Sequence, residues 1–451
     1  MANPAEDLGN EQFTSVANDS SFYLDKNRTS NANGFIAGSD FHGKYSTINN
    51  LYSIAQSRNL DVVLNGDVVN DYEFKEFANA LGYKSANDIF VEYAQTNLSE
   101  KDYSALILMR NLQQTGGSLE PFLQQVPDQY KAQAKQQLES IIQEIQSDEV
   151  LGKRIEKTIE KFNDEKQEEV IYNTVRLNAL YHVFMDKEAK KLAETINDYG
   201  ITTHFNLGNH ENAYFVSNVR KYLDDPSKII DVTNHEGYIT INQDNGQQLT
   251  LAGMTNCVMP MNYLPEVVGS PEEYQILTSH MSVDSIKEQS LMQGFRSKEE
   301  LESLESIIEK DTDKQRIGDG NGLDVFITHG QIGKVYLDEN REGFDVPYMG
   351  VAAYFSNKAS LTIEGHIHSK YDGKNSFGND MIRASGEDAA IIYKDELGNL
   401  QKDWVMIDDT FDGNHHNPID YNIDEMKREV ESLAKQMEII MQQNSVEDKA
   451  A

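Results

Sequence analysis

The chain has 451 residues, enough for one large domain with insertions or for two domains, with ample apolar core either way. Its 74 acidic side chains against 40 basic ones leave a formal charge of −34, which argues against a diffuse basic surface for nucleic acid or anionic membrane. The sequence has no apolar run of about 18 residues and no signal-peptide pattern at its start, and its single Cys257 cannot form an internal disulfide, so a soluble, cytoplasmic protein is expected.

Residues 1–33, rich in Asn, Ser, Asp and Ala, read as a disordered or loosely attached arm, with order beginning near Gly34. Phe35-Ile36-Ala37 then reads as a buried strand, residues 46–58 as a helix and Asp61-Val62-Val63-Leu64-Asn65 as a second strand. That is a β-α-β unit, which implies parallel strands and a right-handed crossover. From 72 to 200 the texture changes to Lys, Glu, Gln and Ala, with Leu138, Ile141, Ile142 and Ile145 at helical spacing. This helical insertion reads either as a cap over a site or as an oligomerising appendage.

Strand patterns return at residues 202–206, 238–241 and 249–252, the last two joined as a hairpin through Asn245-Gly246. A second, mostly helical excursion covers 259–320, after which residues 324–328 and 361–364 read as core strands that run into histidines. Residues 410–451 read as a loop, with His415 and His416 in a solvated turn, followed by a helix. That helix carries a stripe of Ile423, Met426, Val430, Leu433, Met437 and Ile440, which either packs back on its own domain or pairs two copies.

Five short segments lie at the ends of the expected strands: Asp40-Phe41-His42, Gly66-Asp67, Gly208-Asn209-His210-Glu211, His329-Gly330 and Gly365-His366-Ile367-His368. Open α/β sheets gather ligand-binding side chains at the carboxyl ends of their strands, so five such loops can converge on one site. Their carboxylate, amide and imidazole donors, without thiolates, suit first-row divalent metals rather than a structural zinc site. Two metals about 3.5–4 Å apart need a short group touching both, and the Asp67 carboxylate is the candidate. Glu211 reads as a cap near the start of the next helix. His182, in the insertion, reads as part of a helix face.

In this order the segments resemble the signature D-x-H, G-D, G-N-H-[DE], H and G-H-x-H of the calcineurin-like metallophosphoesterases. The resemblance covers residues 34–71 and 201–409 and implies a two-sheet α/β sandwich flanked by helices. It implies that Asp40, His42 and His368 hold one divalent metal with Asp67, and that Asn209, His329 and His366 hold a second with Asp67. A water or hydroxide bridging the two metals (Mn, Fe, Zn, Ni or Co) would attack the phosphorus. His210, oriented by Asp40, would contact the substrate phosphate as a catalytic residue.

Gly66-Asp67-Val68-Val69-Asn70-Asp71 departs from the V-D-R-G continuation of the protein phosphatases, and the G-H-x-H ending fits phosphodiesterases and nucleotidases better. A small phosphodiester or nucleotide is therefore the expected substrate, with a phosphomonoesterase or protein-phosphatase-like activity as the alternative. An inactive binding module or scaffold of the same fold is the reading from a different class.

Overall fold

The computed structural model of the chain describes residues 28–114, 119, 123, 128–208, 210–211, 214–254, 312–330, 334–338, 341–345, 350–366, 368–375, 378–384, 386–407 and 422–447. The chain divides into two units, one formed by Met1–Ala80 with Ala179–Ala451 and the other by Leu81–Asn178. In chain order the strands are Thr29–Asn31 (β1), Phe35–Gly38 (β2), Asp61–Asn65 (β3), Thr203–Asn206 (β4), Ile229–Asp231 (β5), Ile239–Asn242 (β6), Gln248–Met254 (β7), Val325–Thr328 (β8), Lys334–Asp338 (β9), Arg341–Asp345 (β10), Leu361–Glu364 (β11), Tyr371–Lys374 (β12), Asp380–Arg383 (β13), Asp388–Lys394 (β14) and Leu400–Met406 (β15).

The first unit is α/β. Strands β2, β3, β4, β8 and β11 are buried at every position, which is the condition of a strand covered on both faces. They occupy the middle of two mixed sheets, a six-stranded one of order β15-β14-β2-β3-β4-β5 and a seven-stranded one of order β1-β6-β7-β8-β11-β13-β12. One apolar core draws on both sheets: Phe35, Ala37, Val63 and Ile392 from the first meet Leu251, Ile327, Ile363 and Ile382 from the second. Burying such side chains contributes about 1.5–3 kcal/mol each, which is what holds two flanked sheets together.

Helix Tyr45–Arg58 links β2 to the parallel strand β3. It turns Thr47, Ile48, Leu51, Tyr52 and Ala55 inward at helical spacing and stops at Asn59, whose φ of 53° is a left-handed helix end. The expected hairpin is present as the antiparallel pair β6–β7, turned at Gly246. Order extends below Gly34, because Thr29–Asn31 pairs in parallel with β6 and Ser30 hydrogen-bonds the buried Asp61 carboxylate. Strands β12 to β15 were not read from the sequence; β14 joins β2 antiparallel and β15 covers the outer edge.

The carboxyl-terminal helix Ile423–Glu447 buries Met426, Val430 and Ala434, while Ile423 is exposed. Leu433 and Met437 are only half-buried beside that row, so the fully inward stripe is narrower than the three-four pattern suggests. Lys187 pairs with Glu429 of this helix at 2.8 Å, within the same unit.

The second unit is helical. Helices Ala86–Asn97, Glu100–Gln114 and Asp128–Ser147 lie in it, and helix Glu149–Tyr199 begins in it. Ser85 and Asp88 form a reciprocal capping box. Phe162 receives Phe90 and Tyr93 with ring centroids at 5.0 and 5.5 Å. Arg154 grips Asp102 with two hydrogen bonds of 2.9 Å. Of the expected apolar stripe, Leu138, Ile142 and Ile145 are half-buried and Ile141 is exposed. Most of the second expected helical excursion, like Asn209, Cys257, His280, His415 and His416, lies outside the described residues. No helix among the described residues is long and apolar enough to cross a membrane.

Candidate metal centre

Each site loop leaves the carboxyl end of a core strand, and the loops are tied to one another by backbone hydrogen bonds. The loop after β2 lies against the loop after β3, with Asp40 N donating to Gly66 O at 3.1 Å, His42 N to Asp67 O at 2.8 Å and Gly43 N to Val68 O at 2.7 Å. In the other sheet, Gly365 N donates to His329 O at 3.0 Å, joining the loops after β8 and β11. The sheets are stitched at this end by Asn65 Nδ2 donating to Thr328 O at 2.9 Å and by His366 N donating to Asp40 Oδ2 at 3.1 Å. Gly66 is required where it stands: its φ is 76° and a Cβ would lie 2.6 Å from Gly208 Cα and 2.5 Å from His329 Nδ1.

Glu211 does something other than cap the helix that follows it. Its buried carboxylate accepts four backbone N–H groups, from Asp67 (3.0 Å) and Gly208 (2.9 Å) on Oε2 and from Val68 (2.7 Å) and Val69 (3.0 Å) on Oε1. It thereby fixes the loop that carries Asp67 to the loop that carries His210. Asp67 Oδ1 in turn accepts from His210 N at 3.1 Å.

Donor atoms gather in three overlapping groups that can hold a metal ion: Asp40, His42 and His368; His42, Asp67 and His210; and Asp67, His329 and His366. Every expected ligand among the described residues falls in one of them. His42 Nε2 and His368 Nε2 lie 2.8 Å apart, and His368 Nε2 lies 3.7 Å from Asp40 Oδ1. That Asp40 oxygen is buried with no hydrogen-bond partner among the described residues. His329 Nε2 lies 2.9 Å from Asp67 Oδ2, an ion-pair distance at which a metal ion could take the place of the shared proton. His329 Nδ1 donates to Asn65 O at 2.7 Å, which turns Nε2 towards Asp67, the arrangement that orients metal-ligating histidines.

The electrostatics have the same sense. Burial pushes the Asp40 carboxyl up, with the neighbouring Asp67 charge adding to it. Burial also works against the Asp67 charge, but the imidazoles of His210 and His329 outweigh it and hold that carboxyl well below the usual range. Burial drives His42 down to about 3, and partial burial with the adjacent His329 charge takes His366 down to about 4. His329 moves the other way, to about 10, because Asp67 and Asp40 overcome the effect of its burial. The buried carboxylates thus hold positive charge on His329 while His42 and His366 stay neutral, and a divalent cation could take the place of the His329 proton and meet the imidazole lone pairs.

His204 and His235 lie elsewhere: His204 Nε2 bonds Asp61 at 2.8 Å in the core, and His235 is buried near Arg28. His182 sits on helix Glu149–Tyr199, its imidazole pushed down by burial. The supporting roles of Ser39, Asn65 and Glu211 were not legible in the sequence, because their partners lie far away along the chain.

No family model and no curated protein matches this chain. One solved crystal structure aligns with 84% of this chain and 100% of its own at 9% identity and a TM-score of 0.38, a likeness too slight to carry an argument.

Proposed function

We propose that the chain is a dinuclear metal-dependent phosphoesterase of the calcineurin-like metallophosphoesterase type that hydrolyses a small phosphodiester or nucleotide. The observation that carries this reading is the pair of ligand groups at one end of two sheets, Asp40–His42–His368 and Asp67–His329–His366, with Asp67 also facing His42 and His210. When bound there, two divalent ions (Mn, Fe, Zn, Ni or Co) would acidify water to supply a nucleophile and would neutralise phosphate charge. Asp67 suits the shared position because it is buried, stays ionised and is fixed by Glu211 through its own backbone.

His210 suits a different task. Its Nε2 is 3.6 Å from Asp67 Oδ2 and its ring meets His42 edge to face at 4.8 Å, between the groups Asp40–His42–His368 and Asp67–His329–His366 and in neither of them. There it would place a proton against the phosphate or the departing oxygen. The strongly acidic chain favours a small ester over a long polyanion. The test is hydrolysis of bis-p-nitrophenyl phosphate against p-nitrophenyl phosphate, by the wild type and by His210→Ala. The expected result is faster diester turnover, reduced by about 100-fold or more in the variant with bound metal retained. Unchanged turnover in His210→Ala would remove that residue from the reaction, and a preference for the monoester would reassign the substrate.

A further inference from the structure

Strand β13 carries none of the expected ligands, yet its last residue and the one after it touch both loops that supply the group Asp40–His42–His368. Arg383 stands opposite Glu364 in the final rung of the parallel β11–β13 pair, and both side chains are fully buried. Arg383 Nη2 donates to Glu364 Oε2 at 3.3 Å and Nη1 donates to Ser369 Oγ at 3.2 Å. Glu364 immediately precedes, and Ser369 immediately follows, the Gly365-His366-Ile367-His368 segment. One guanidinium therefore grips that loop at both ends. The next residue, Ala384, accepts from Ser39 Oγ at 3.0 Å, and Ser39 also contacts the Asp40 carboxylate.

A buried ion pair is not the most stable filling for such a position, since desolvating two charges costs several kcal/mol and apolar side chains of the same volume often do as well. What the pair supplies is geometry: a planar fork with donors at fixed angles, which neither a lysine nor an apolar side chain provides. We propose that Arg383 is a positioning residue that clamps the two ends of the 365–368 loop and so sets His366 and His368 at ligand distance from Asp67–His329 and Asp40–His42. The proposal rests on the reading of the site as a metal centre.

The experiment is Co²⁺ titration of chelator-treated full-length protein, reading affinity and the visible absorption spectrum together with thermal melting. Arg383→Met/Glu364→Leu removes both charges at similar volume, and Ser369→Ala removes one end of the clamp alone. The double variant is expected to melt close to the wild type while Co²⁺ affinity falls by about 10–100-fold with an altered spectrum, the scale of loss seen when a group that orients a ligand is removed. Ser369→Ala is expected to shift both readouts in the same direction by a smaller amount. A folded double variant with wild-type affinity and spectrum would overturn the clamp. Should the double variant not fold, unchanged Co²⁺ binding by Ser369→Ala overturns it instead. Absence of Co²⁺ binding by the wild type would overturn the metal reading and the clamp together, whereas wild-type binding with indifferent variants overturns the clamp alone.

Discussion

Asp40, His42, Asp67 and His366 all have positive φ, between 46° and 68°, and among the described non-glycine residues only Asn59, at a helix end, joins them. A left-handed backbone costs a residue with a Cβ of order 1 kcal/mol, so four such positions persist only because their surroundings hold them. The surroundings are visible: three backbone bonds between the first two loops, and the four N–H groups gathered by Glu211. Replacing Glu211 by Gln turns one acceptor into a donor facing N–H groups and should cost at least about 2 kcal/mol of stability, measured by urea unfolding. Metal affinity should fall with it, and a Glu211→Gln variant as stable as the wild type would show that the four bonds hold little. The ligands were legible in the sequence because each stands beside a recognisable strand end. Glu211 was legible only as a residue type, since its partners at Asp67 to Val69 lie more than 140 positions away.

At the scale of elements, most strands buried at every position could be read, and so could the hairpin β6–β7 from its Asn-Gly turn. Runs such as Val62-Val63-Leu64 and Val325-Phe326-Ile327 admit few other states, and β3 and β8 fall on them. Strand β15 escaped because Leu400–Met406 is an outer edge with mixed exposure, and β12 because Tyr-Asp-Gly-Lys has no apolar alternation; cross-strand partners define both. The helical unit offers its own test. Arg154 holds the Asp102 carboxyl below its ordinary value of 3.8 through the two-pronged hydrogen bond. A carboxyl lowered by folding contributes stability above its unfolded pKa, and the contribution is lost as pH falls through the folded value. Because the Arg154 side chain is half exposed, solvent screening keeps the pair's contribution small. Asp102→Asn should therefore melt lower than the wild type at pH 7, with the gap closing below about pH 4. A gap that persisted into acid would assign the loss to packing rather than to charge.

For the molecule as a whole, the site depends on two sheets ending at the same place, which the shared core enforces. Ile363 lies in that core two residues before Gly365, so Ile363→Ala should cost about 2–5 kcal/mol, seen as a lower denaturation midpoint. The chain carries a formal charge of −34 and a centre whose donors could hold cations, and the central claim concerns those cations. The most direct measurement is to strip the protein with chelator, titrate Mn²⁺, Ni²⁺ or Zn²⁺ back, and follow bound metal and bis-p-nitrophenyl phosphate hydrolysis in the same samples, with Asp67→Asn alongside. The account predicts binding of up to two ions per chain, hydrolysis rising with occupancy, and loss of both in Asp67→Asn; a wild-type protein that takes up no stoichiometric metal, or that hydrolyses the ester equally well without it, would contradict it.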